Sequence, residues 1–99
     1  MKLIEVIGNL ESADNSLTIC AARTPEWSGA SEAELRPSNR VNSESKPPYF
    51  LEVAVAKDVV RAWSFVRNGR LPTLSEKCEA LIYYAENDAY LLPDSDHNK

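Results

Sequence analysis

Leu3, Ile4, Ile7 and Leu10 recur at the i, i+1, i+4, i+7 spacing of one helical face, and Val6 widens that face. Residues 2–10 therefore predict a short first helix. Gly8 weakens it by about 1 kcal/mol relative to Ala. Asp14, Asn15 and Ser16 are turn formers, and after them Leu17, Ile19 and Ala21 share one side of a period-2 pattern, which predicts a first strand over 17–22. From Thr24 to Pro48 the chain is polar and rich in Pro, Ser and Asn. Ala33 and Leu35 support one weak edge strand around 30–36, and the remainder of 24–48 reads as a long loop.

Tyr49 to Val55 combines aromatic and β-branched residues, which suit a pleated, half-buried surface, and predicts a strand. Directly after it, Val59, Val60, Trp63 and Val66 repeat at helical spacing, so 56–69 predicts a helix that stops at Asn68-Gly69. Thr73-Leu74-Ser75-Glu76 has the Thr-x-x-Glu pattern that caps a helix start. Leu74, Cys78, Leu81, Ile82 and Ala85 then form the buried stripe of a last helix ending near Asn87 or Asp88. Trp63, Phe65 and Phe50 are assigned to the core. The order helix, strand, weak strand, strand, helix, helix predicts an α+β fold, a small antiparallel sheet of about three strands with helices packed on one face. The expected organisation is one domain over 1–92 and a polar, disordered tail over 93–99.

The composition, 43% hydrophobic and 26% charged over 99 residues, is that of a globular chain and not of a disordered one. No apolar run approaches the roughly 20 residues that span a bilayer, and Glu5 interrupts what would have to be a leader's apolar stretch. A cytoplasmic protein without membrane contact is expected. Cys20 and Cys78 lie among apolar neighbours, which predicts two buried, reduced thiols. The net charge of −4 is uneven: residues 74–99 carry six acids and two bases, the rest nine of each. The only basic cluster, Lys57, Arg61, Arg67 and Arg70, is opposed by Asp58, so nucleic acid is not an expected partner.

Candidate chemistry is sparse. His97 is the only histidine, and with two cysteines it falls short of a structural zinc site, so neither a metal nor another cofactor is expected. Gly8, Gly29 and Gly69 are isolated and form no phosphate loop. Glu76 with Glu79, and Glu86 with Asp88, are carboxylate pairs of the kind that performs acid/base work, but their places at a helix start and on a polar helix face suit capping and solvation. Trp27 in the polar loop and Tyr83, Tyr84 and Tyr90 beside Glu86 and Asp88 are harder to bury. Aromatics flanked by acids describe a protein-binding surface.

Tyr49-Phe50-Leu51-Glu52-Val53 leading to Ala56-Lys57-Asp58-Val59 and Trp63, with residues 72–79 and 82–89, resembles a family of small uncharacterised bacterial domains. The resemblance lies mainly in residues 49–89. It implies a bacterial source and a compact stand-alone domain without an assigned activity, and its shared polar positions are Lys77, Glu79, Tyr84, Asn87 and Asp88.

Lys77, Glu79, Tyr83, Tyr84, Glu86, Asn87, Asp88 and Trp27 are accordingly the candidate binding residues, and no catalytic residue is assigned. The expected function is a non-enzymatic protein-binding module with a basic protein partner, most concretely an immunity-like role against a secreted toxin. Two alternatives stand beside it: a homo-oligomeric structural subunit, and a small enzyme using Glu79, Asp88 and Tyr84.

Overall fold

A computed structural model describes residues 1–93. It comprises α1 (Leu3–Gly8), β1 (Leu17–Ala21), β2 (Ala33–Pro37), β3 (Tyr49–Glu52), α2 (Val53–Phe65) and α3 (Leu74–Asn87), with single 3-10 turns at Leu10–Ser12 and Ser38–Arg40. The expected tail falls almost wholly outside the described residues. The strands form an antiparallel sheet in the order β2-β1-β3, so the expected α+β architecture is the observed one.

β1 is central, paired on both edges, and is buried on both sides. Ile19 and Ala21 face the helices, while Thr18 and Cys20, which alternation turns the other way, are buried as well. On that second side the Thr18 hydroxyl meets the Ser38 hydroxyl at 2.7 Å, and Arg36 reaches across to donate to the Lys46 carbonyl at 2.5 Å. The weak edge strand expected around 30–36 is present as β2, and the loop residues beyond it contribute to covering the sheet. β2 pairs with β1 along its whole length, from Leu17 opposite Pro37 to Ala21 opposite Ala33. Its edge is partly occupied by the N-terminus, where the Ala33 amide donates to the Met1 carbonyl at 2.7 Å and Lys2 bridges Glu32.

The strand expected over 49–55 is shorter, and α2 begins at Val53. The period decides: Val53, Ala56, Val59, Val60 and Trp63 are all buried at helical spacing. A register shift opposite Ile19 and Cys20 lets both Phe50 and Leu51 enter the core, which ends clean alternation before Val53. α2 also stops earlier, at Phe65. Asn68 (φ 59°) and Gly69 (φ 84°) turn the chain as expected, with the Gly69 amide on the Ser64 carbonyl at 2.8 Å.

Phe65, assigned to the core, and Val66, placed on the helical stripe, are both at the surface. Phe65 is 83% exposed and Val66 is exposed too. Phe65 follows Trp63 by two positions, roughly 200° around a helix, so it projects away from the side Trp63 buries. Val66 lies beyond the last helical residue, where the helical stripe no longer applies.

α3 begins on its expected cap. The Glu76 amide donates to Thr73 Oγ1 at 3.1 Å, and the Thr73 amide donates to Glu76 Oε1 at 2.9 Å. Cys78, Ala80 and Leu81 are buried, whereas Leu74 stays largely exposed and Ile82 and Ala85 are half-buried. α1 packs on β2, α2 on β1 and β3, and α3 on α1 and α2. One continuous core runs from Leu3 and Ile7 through Ile19 and Phe50 to Leu81. No helix among the described residues is long and apolar enough to cross a membrane.

Candidate functional site

The eight candidate residues separate into four places. Glu79, Tyr83 and Glu86 follow i, i+4, i+7 spacing on the outer face of α3, with Asn87 adjoining them and donating through its side chain to the Tyr83 carbonyl at 3.0 Å. This face is solvated. Lys77 is a second place, near the start of α3, and Tyr84 with the capping Asp88 at the helix's C-terminal end is a third, with the fully buried Leu81 between them in the chain. Glu79 and Tyr84 are five positions apart, roughly 140° around the helix, so the trio Glu79, Tyr84 and Asp88 does not converge.

Trp27 is the fourth place, and it is structural. Its ring stands edge-on to Phe50 at 5.0 Å, its indole N–H donates to the Ala21 carbonyl at 3.0 Å, and the Arg23 guanidinium covers it at 4.4 Å. The polar loop carries this tryptophan as a peg into the core.

At the C-terminal end of α3 the residues do gather. Asp88 adopts a left-handed conformation (φ 55°, ψ 38°), reversing the chain so that Tyr90 returns beside Tyr84, ring centroids 5.5 Å apart. Tyr49, at the start of β3, reaches the same place. Burial and then the Glu52 charge push its phenol pKa up, the Glu52 backbone opposes them, and Tyr84 and Asp88 add smaller upward effects. Three tyrosines and two carboxylates therefore lie near one another, with Tyr49 46% and Tyr90 47% exposed. The sequence reading missed Tyr49 and Glu52 because it read 49–55 as a half-buried strand without asking which of its residues face out. A usable signal was there: Tyr49 and Phe50 are adjacent, and adjacent strand residues face opposite ways.

The basic cluster is committed internally. Lys57 donates to the Ala13 carbonyl at 2.8 Å, Arg61 pairs with Asp58 at 2.9 Å, and Arg67 donates to the Trp63 and Leu91 carbonyls at 3.0 and 3.3 Å. The Arg67 and Arg70 guanidinium groups lie 4.1 and 4.7 Å from the Trp63 ring centre, and Arg70 also pairs with Glu76 at 3.2 Å. Both cysteines are free and buried. Burial raises the pKa of each thiol, and at Cys20 the Arg36 charge works in the opposite direction while Glu34 adds to the rise. Such thiols are poor nucleophiles at neutral pH. Among the described residues no three His, Cys, Asp or Glu side chains are grouped as metal ligands would be.

Comparison with family models, curated proteins and solved structures finds no match to this chain.

Proposed function

We propose that the chain is a non-enzymatic protein-binding module that presents Tyr49, Tyr84 and Tyr90, flanked by Glu52 and Asp88, to a basic protein partner. The observation that carries this reading is the gathering of three half-exposed tyrosines from β3, α3 and the returning chain around two carboxylates. Tyrosine supplies contact area at low entropic cost, and the carboxylates steer a cationic partner and speed its approach. An immunity-like inhibitor of a basic toxin is the concrete form of such a module. The enzyme alternative loses support because Glu79 stands apart from Tyr84 and Asp88.

The test is capture from the native cell lysate at low and high salt, with the wild-type chain beside an E52Q/D88N double variant and Tyr90→Ala. A single basic protein held at low salt, released at high salt and lost by both variants supports the module. Equal retention by the wild-type and double-variant chains, or an empty eluate from both, removes it.

A homo-oligomeric subunit is the second reading, favoured by the exposure of Phe65 and Leu71, 83% and 80%. Sedimentation of the wild-type chain beside Phe65→Ser decides it: a concentration-dependent dimer that the substitution abolishes is expected on this reading, and a monomer at all concentrations excludes it.

A further inference from the structure

At the opposite end of α3 from the tyrosines, a groove of about 510 Å³ opens between α2 and the start of α3. Val60, Leu71 and Pro72 line it as an apolar floor and lip, and Arg61, Ser64 and Lys77 supply its polar groups. Lys77 is half-buried, and among the described residues no carboxylate lies within ion-pair distance of its ammonium, nor does any hydrogen bond hold it. Arg61 is paired only with the exposed Asp58, a screened contact that a ligand can compete for. Glu11 forms part of the rim and brings the groove to one net positive charge, in a protein whose net charge is −4.

We infer that this groove is a binding site for a small amphipathic monocarboxylate, its head on Lys77 and Arg61 and its apolar body along Val60, Leu71 and Pro72. The volume falls within the roughly 300–1,000 Å³ of small-molecule sites. An ammonium with no carboxylate partner among the described residues gains most from an anion, and the single net charge suits a monoanion better than a doubly charged phosphate, which Glu11 repels more strongly. The site does not depend on the tyrosine surface, because Lys77 and Asp88 are eleven residues apart, about 16 Å along the helix.

Titration of the 15N-labelled chain with sodium octanoate, followed by amide shifts, tests it, with 1-octanol as the uncharged control. Saturable shifts are expected at Val60, Arg61, Ser64, Leu71 and Lys77, with octanol binding weaker. Lys77→Gln is expected to weaken octanoate roughly 5- to 10-fold, the loss of one charge-assisted hydrogen bond. Arg61→Gln and Leu71→Ala, both at exposed positions, weaken it as well and serve as the readout if Lys77→Gln does not fold. The inference is overturned if no shift saturates, if octanol binds as tightly as octanoate, or if the folded variants bind octanoate unchanged.

Discussion

Phe50 and Phe65 are the same side chain in opposite circumstances. Phe50 is 1% exposed, wedged between Trp27 and the helices, whereas Phe65 projects into solvent from the last residue of α2. Removing the first ring opens a cavity in a core that cannot fully collapse, so Phe50→Ala is expected to cost about 3–5 kcal/mol. Phe65→Ala is expected to change stability by no more than about 0.5 kcal/mol. Urea denaturation of both variants checks the contrast, and equal losses would mean that Phe65 is buried in solution. Trp27 belongs to the same comparison. Its polar neighbourhood in the chain suggested an exposed anchor, but the deciding contacts are with the Ala21 carbonyl on β1 and with Phe50, and the latter is far from it in sequence.

Among the elements, α3 is the one whose start is written most plainly in the chain, and its cap makes two predictions. Thr73→Ala removes the acceptor for the Glu76 amide and is expected to cost about 1 kcal/mol. The Glu76 carboxyl is held below its ordinary value of 4.5, first by the Thr73 backbone amide and then by Arg70. Asp14 is held below 3.8 in the same way by the Ser16 amide and hydroxyl. A carboxyl with a depressed native pKa binds protons more readily when unfolded. Its contribution is therefore complete above the ordinary value and is lost as the pH falls through the lowered one. The thermal midpoint is expected to fall on acidification below about pH 4.5, and the fall is expected to be shallower in an E76Q/D14N variant. A variant with the wild-type slope would show that neither carboxyl gains its partners on folding. The capping box, the turn at Asn68-Gly69 and the alternation of β1 are local patterns, and they were legible from local sequence. The boundary between β3 and α2 was not, because Val53 to Val55 fits a strand as well as a helix, and the register shift against β1 settles it. β2 was legible only as a weak strand, since its partner β1 and the N-terminal segment supply what its own side chains do not.

Across the whole molecule the helices form two tiers, α1 and α2 on the sheet and α3 on α1 and α2. This arrangement explains which parts of the candidate surface could be read in advance. Tyr84 and Asp88 were found because they are neighbours in the chain at the end of α3, but Tyr49 and Glu52 join them from β3, and the groove at Lys77 borrows its walls from α2 and the connection after it. Sites assembled between tiers leave no spacing in the chain. The same arrangement makes the second tier dependent on few residues, and Leu81, fully buried where α3 meets the core, is central among them. Leu81→Ala is expected to cost about 2–5 kcal/mol, a large share of the roughly 5–15 kcal/mol that stabilises a domain of this size. Glu79→Ala, two residues earlier on the solvated face, is expected to stay within about 0.5 kcal/mol. Urea midpoints measure both losses, and hydrogen exchange locates the first. If α3 docks as a unit, its amides lose protection in Leu81→Ala before those of β1 do. Uniform loss across α3 and β1 would instead mean that the helical tier and the sheet unfold together, and that Leu81 holds the whole domain.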